Sequence, residues 1–252
     1  MNNIVEVILK AGDILKEQYS HVFKYSAKGK SDLLSEVDVE IERVIIDKLK
    51  ELTPEAGIFS EEAGVVKGNN NLRWIIDPID GTTNFIFGVP HFCISISLES
   101  QGEIVEAYIY NPLTNELYHT NESDTQSFLN GSEIQVSDTS AIEDALVVFG
   151  FSANFENITL YNKHWQQLFA GCKKGLGVLS PALNICNVAR GRIDCFMDFG
   201  SSMEGHGGAS LILTRAGGKV TNYDLTPWDH RDKGVIASNK TLMPLMRSLK
   251  RE

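Results

Sequence analysis

The sequence is short of cysteine, proline and long apolar runs, and each shortage removes a class of protein. Its 4 cysteines, Cys93, Cys172, Cys186 and Cys195, form no C-x-x-C pair, so neither a zinc knuckle nor a dithiol redox centre is expected. Three of them have apolar neighbours (Phe92 and Ile94, Ile185, Phe196) and read as buried, reduced thiols. No apolar stretch reaches the ~20 residues that a membrane span needs. The segment from Met1 to Ser20 carries Glu6, Lys10, Asp13, Lys16 and Glu17 along its length, unlike a secretory leader. A cytoplasmic protein with no membrane partner is therefore expected. Lys28 with Lys30, and Lys173 with Lys174, are short pairs and no basic stripe, so no nucleic-acid partner is expected either. His91, His119, His164, His206 and His230 show no i, i+4 pair and no serine partner motif, and no covalent nucleophile is evident.

What is present is acid. The 252 residues carry a formal net charge of -10, with 42% hydrophobic and 22% charged residues and 7 prolines. That is a globular composition, long enough to bury a core. An acidic chain that bound a phosphate anion would need local bases or metal cations to offset its own field. Carboxylates that gather divalent metals would meet that need.

Ile4, Val5, Ile8, Leu9, Ile14 and Leu15 follow the helical template and predict an amphipathic first helix. A second helix is expected from Ser35, with Val37, Ile41, Val44, Ile45 and Leu49 inward and Pro54 beyond its end. Ser35 and Asp38 match a capping box. Strands are expected at Trp74–Ile76, Phe92–Leu98, Ile104–Tyr110, Glu116–Thr120 and Ser127–Val136, the last folded at Asn130-Gly131. Short turns between them suggest antiparallel sheet. Later, strands at Leu146–Phe149, Ile193–Met197, Val220–Thr221 and Val235–Ser238 alternate with helices at Asn162–Phe169, Pro181–Arg190 and Gly207–Arg215. The pattern predicts an α+β half over residues 1–138 and an α/β half over 139–252, joined as one domain without a linker.

The chemistry concentrates between Asp77 and Asn84. Two aspartates flank Pro78, which lacks an N–H and fixes φ, so the carboxylates sit on a stiff segment after the apolar Trp74-Ile75-Ile76. Hard oxygen donors of this kind select Mg²⁺ or Mn²⁺. Gly81 allows close backbone approach to an anion, and the N–H groups and hydroxyls of Thr82 and Thr83 suit phosphate oxygens. Asp-Pro and Asp-Gly are also common turn dipeptides. The adjacent pair Glu61-Glu62, just upstream of the same strand, weighs against a simple turn.

The run from Trp74 to Phe85 closely resembles the first signature of the inositol monophosphatase family. Phe59-Ser60-Glu61-Glu62 resembles its acidic pair, and Asp32 to Asp38 its D-x-x-T/S-x-x-D segment. Asn184 to Cys195 and Ala216 to Thr221 resemble its later motifs, in order and at similar spacing. The resemblance implies a layered αβαβα sandwich and lithium-sensitive, Mg²⁺-dependent hydrolysis of a small phosphorylated polyol or sugar, myo-inositol monophosphate first among them. It implies two Mg²⁺ ions, with Mn²⁺ able to substitute, held by Glu61, Asp77, the Ile79 carbonyl and Asp80. Glu61 and Thr82 would orient and help deprotonate the attacking water. Gly81, Thr82 and Thr83 would hold phosphate oxygens, and Asp198 substrate hydroxyls. Asp38 would lie near a loosely held third ion, a role beside its capping one. A homodimer is implied as well. Other members of the superfamily act on fructose 1,6-bisphosphate, 3′-phosphoadenosine phosphate, NADP or histidinol phosphate. Some bacterial members bind the transcription machinery.

In one place the chain departs from the pattern. The family's second signature reads W-D-x-A-A/G-G, its aspartate a ligand of both ions, but here the segment is Met203-Glu204-Gly205-His206-Gly207-Gly208. An ungapped match puts Gly205 at the aspartate position. Glu204 is the expected replacement ligand; His206 as a nitrogen ligand, and a weakly held second ion, are the other readings. Trp228-Asp229, past Ala216-Gly217-Gly218, is expected to be a structural turn.

Overall fold

Residues 3–19, 25–27, 33–66, 68–150, 159, 162, 166–200, 203–232 and 234–249 are described by the computed structural model of the chain. Helix α1 (Asn3–Gln18) buries Ile4, Val7, Ile8, Ala11 and Leu15, the stripe that its sequence spacing sets. After the antiparallel pair β1 (Tyr25–Ala27) and β2 (Leu33–Ser35), α2 (Glu36–Leu52) begins at a capping box. The Asp38 carboxylate accepts from Ser35 N–H at 2.9 Å and from its hydroxyl at 2.5 Å. These bonds satisfy orphan groups of the first turn, a contribution of about 1 kcal/mol.

Strands β3 (Ala56–Ser60), β4 (Gly64–Val66), β5 (Asn69–Asp80), β6 (Cys93–Ser100), β7 (Glu103–Asn111), β8 (Glu116–Thr120), β9 (Ser127–Leu129) and β10 (Ser132–Ile134) form one sheet, ordered β10-β9-β8-β7-β6-β5-β3-β4. Pairing is antiparallel throughout except for β3 on β5. Short helix α3 (Thr82–Ile86) follows β5. Asn130 and Gly131 take φ of 51° and 81°, the left-handed pair that a two-residue hairpin turn requires.

The second sheet holds β11 (Leu146–Gly150), β12 (Lys174–Gly177), β13 (Cys195–Asp198), β14 (Gly218–Thr221) and β15 (Val235–Asn239), ordered β12-β11-β13-β15-β14. Helices α4 (Gln166–Gly171), α5 (Pro181–Ala189), α6 (Met203–Arg215) and α7 (Leu242–Leu249) complete the chain. Of the helix expected at Asn162–Phe169, residues 163–165 lie outside the described residues, and α4 runs two residues further.

The layers run helix, sheet, helix, sheet, helix. Apolar residues of α1 and α2 pack on one face of the first sheet, those of α5 and α6 fill the space between the sheets, and those of α7 cover the far face of the second. The fold is thus the layered α/β sandwich that the family resemblance implies. Helix α6 starts four residues earlier than its apolar pattern suggests, because glycines at 205, 207 and 208 blank the signal. At Gly208 the reason is space: a Cβ there would meet Ser97 Cβ at 2.9 Å. The helix therefore lies close on the sheet at the ~1 kcal/mol per glycine that helices lose.

Candidate active site

Strand β5 does not stop at Ile76. It continues through Pro78 to Asp80, with an irregularity that places Asp77 opposite Ser95 and Asp80 opposite Cys93. Three steps on β5 face two on β6, a β-bulge that tolerates a residue without an N–H. In regular strand, positions 77 and 80 would point to opposite faces. The extra residue brings both carboxylates to one site, where each charge acts on the other.

Asp77 accepts on Oδ1 from Ile79 N–H at 3.0 Å, and Glu61 hydrogen-bonds to it. Burial pushes its carboxyl well above the ordinary carboxylate range, and the charges of Glu61, Asp80 and Asp38 push it further. Burial also raises Asp80, to about 7, against hydrogen bonds from Ser180, Cys93, Leu183 and Ala182 that lower it. The Thr82 hydroxyl is within reach of Asp38 Oδ1 at 3.1 Å and of the Ile79 carbonyl at 3.0 Å; its one proton serves either. Gly81 caps α3 at φ 98°, a left-handed turn that its neighbours press closely, and Thr83 is half-buried beside it.

The structure thus brings Glu61, Asp77, Asp80, Asp38 and Thr82 together. Asp198 lies on the other sheet, buried at the end of β13, with Oδ2 accepting from Gly200 N–H at 3.4 Å. Glu204 lies buried in the first turn of α6, where its carbonyl accepts from Ser95 Oγ at 3.2 Å. The neighbouring Gly205 faces the acids: a Cβ there would stand 3.4 Å from Asp80 Oδ1. His206 is buried with its ring edge-on to Trp228, centroids 5.4 Å apart. Trp228 and Asp229 form the expected turn, Trp228 Nε1 donating to Gly234 O and Asp229 Oδ1 accepting from Arg231 N–H.

Two buried residues that sequence reasoning missed shape this site. Glu42 on α2 accepts on one oxygen from Ser60 Oγ, Glu62 N–H and Ala63 N–H, which fixes the turn that carries Glu61. Its spacing was a signal: four residues after Asp38 and three before Ile45, it must face inward. Ser180, which precedes α5, donates to Asp80 Oδ2 at 2.5 Å. Only tertiary contact reveals that bond.

Among the described residues no three His, Cys, Asp or Glu side chains are arranged to hold a metal ion. The donor chemistry nevertheless suits a hard divalent cation. The charges acting most strongly on Asp77 are all negative and come from carboxylates, which are hard oxygen donors. A cavity of about 460 Å³ opens on another face of α6, lined by Ile104, Gly207, Ser210, Leu211, Thr214 and Trp228 among others. None of Asp38, Glu61, Asp77, Asp80, Asp198 and Glu204 lines it. No helix among the described residues is long and apolar enough to cross a membrane.

The chain is thus a layered sandwich with a carboxylate cluster beside a Gly-Thr-Thr turn. Residues 2–252 match the model of the inositol monophosphatase family. An inositol-1-monophosphatase of Rhizobium meliloti (strain 1021) is 36% identical over 256 residues, covering 99% of this chain and 95% of that protein. The Nus factor SuhB of Escherichia coli (strain K12) is 32% identical over 227 residues, covering 88% and 85%. The crystal structure of the extragenic suppressor protein suhB from Bartonella henselae superposes with a TM-score of 0.93 at 32% identity, over 99% of this chain and 97% of that one. The chain belongs to the inositol monophosphatase family, whose members are in general metal-dependent phosphatases.

Proposed function

We propose that this protein hydrolyses a small phosphate monoester, myo-inositol monophosphate or a related polyol or sugar phosphate, with Mg²⁺ as cofactor and Mn²⁺ as substitute. The observation that carries the reading is the gathering of Glu61, Asp80 and Asp38 around Asp77, with Thr82 against Asp38. Such a cluster is costly without a cation and is offset by one. Bound there, the metal would lower the pKa of a water and stabilise charge on phosphate and leaving oxygen. Glu61, Asp77, the Ile79 carbonyl and Asp80 would hold it, with Glu204 as the donor from α6. Glu61 and Thr82 would orient the attacking water, and Glu61 would accept its proton. Gly81, Thr82 and Thr83 would fix the phosphate oxygens for in-line attack, while Asp198 would bind substrate hydroxyls. Asp38 would steady Thr82 and border a third, weaker site.

A cytoplasmic homodimer inhibited by Li⁺ completes the reading. A phosphate-release assay over a panel of monoesters, with and without Mg²⁺, tests it. Turnover abolished by chelation and by Asp80→Ala is expected. No turnover with any substrate would sink it.

Gly205 favours a second reading. Its lack of a carboxylate beside Asp80, together with relatives named Nus factor SuhB, supports a catalytically weak protein that acts by binding a partner. Full Mg²⁺-dependent turnover would exclude that.

A further inference from the structure

Asp80 is held by the other half of the molecule. Its Oδ2 accepts from Ser180 Oγ at 2.5 Å, from Ala182 N–H at 2.9 Å and lies 3.5 Å from Cys93 Sγ. These donors saturate one carboxylate oxygen. Ser180 occupies the N-cap position of α5, yet its side chain makes no capping bond. Its hydroxyl turns to Asp80 instead, and the Asp80 carboxylate caps the helix in its place. Ser180 is fully buried at φ 99°, a conformation that costs a non-glycine residue about 1 kcal/mol or more. The surrounding contacts hold it there: Asn184 N–H donates to its carbonyl at 3.0 Å, and Gly81 packs against its Cβ. With Oδ2 consumed, Oδ1 is the oxygen left to face the site, on the side of Gly205.

We propose that Ser180 is a positioning residue for the candidate metal site: its strained backbone aims the hydroxyl that locks Asp80 with Oδ1 presented to the cation. The proposal rests on the functional reading above. It makes the start of α5, on the second half of the chain, a support for Asp80 on the first.

The test is Mn²⁺ binding measured by calorimetry on the wild type, Ser180→Ala and Ser180→Gly, with thermal unfolding in parallel. Alanine removes the hydroxyl and keeps the strain; glycine removes both. Both variants are expected to bind Mn²⁺ about tenfold more weakly or worse, the usual effect of losing a group that orients a ligand. Ser180→Gly is expected to be the more stable of the two. A purely structural serine would lower the unfolding temperature and leave Mn²⁺ affinity unchanged, and either folded variant binding like the wild type overturns the proposal. Failure of the wild type to bind Mn²⁺ would instead overturn the functional reading.

Discussion

Gly205 and Asp80 face each other across the α6–β5 contact, with 3.4 Å between Asp80 Oδ1 and the point where a Cβ on Gly205 would stand. That is ordinary van der Waals distance, and the next neighbours, Pro181 Cβ and Cγ, are at 3.9 Å. Room for a Cβ exists where the chain has none.

Gly205→Asp should therefore fold and should change metal dependence. A fourth acid near Asp80 adds repulsion to the apoprotein and a donor to the bound form. We expect a lower unfolding temperature without metal, a higher one with saturating Mg²⁺, and a Mg²⁺ requirement lowered about tenfold or more. Titration of Mg²⁺ against phosphate release and unfolding temperature checks this. Glu204→Ala in parallel shows whether Glu204 already serves as the donor: unchanged Mg²⁺ dependence would remove it from the site.

The Glu42 carboxylate organises the turn that carries Glu61, so its removal should cost stability. Glu42→Ala leaves the buried Ser60 hydroxyl and two partly buried N–H groups without their acceptor. A loss of about 3 kcal/mol is expected, since unsatisfied buried donors cost about 1–3 kcal/mol each and the turn relaxes partly toward water. Glu42→Gln keeps one acceptor oxygen and should lose less. Denaturant midpoints compare the three proteins; equal midpoints would show that the turn holds without Glu42.

The contrast between Asp38 and Ser180 shows how far the sequence was readable. Local signals were legible: the Ser35–Asp38 capping box, the Asn130-Gly131 hairpin and the inward stripe of α1 each depend on neighbours a few residues away. The acids were legible as a family resemblance, and Asp77 and Asp80 do share one site. The bulge that unites them was not, because Pro78 reads as a strand end unless β6 is known to pair beyond it. The Ser180–Asp80 bond, spanning 100 residues, leaves no periodic trace. Helix α6 was foreshortened because glycines chosen for close packing on Ser97 carry no apolar signal.

Asp77→Asn should trade activity for stability. The substitution keeps an oxygen for Ile79 N–H and removes a buried charge that Glu61, Asp80 and Asp38 repel. The apoprotein is expected to unfold at a higher temperature than wild type, by several degrees, while phosphate release falls at least about a hundredfold. An apoprotein less stable than wild type would mean that the charge on Asp77 is already compensated in the folded state.

The response to pH should depend on whether divalent metal is present. Asp80 is raised from an ordinary 3.8 to about 7 by burial, and Asp77 is raised as well by burial and its acid neighbours. A carboxyl raised on folding contributes stability that is full below its unfolded value and lost as pH climbs through the folded one. The metal-free protein should thus lose stability between about pH 4 and pH 8, by an amount bounded for Asp80 on the order of 4 kcal/mol. Glu116 runs the other way. Burial would raise it, but Arg192 and Arg190 outweigh burial and lower it, so its contribution is lost as pH falls below the ordinary carboxylate range. The two trends separate on adding Mg²⁺, which competes with protons at Asp77 and Asp80 and not at Glu116. The rise in unfolding temperature caused by Mg²⁺ should be small at pH 5 and large at pH 8, turning near pH 7. In Asp80→Asn it should be smaller throughout and lack that turn. An equal Mg²⁺ effect at pH 5 and pH 8 would place the ion away from these two carboxylates.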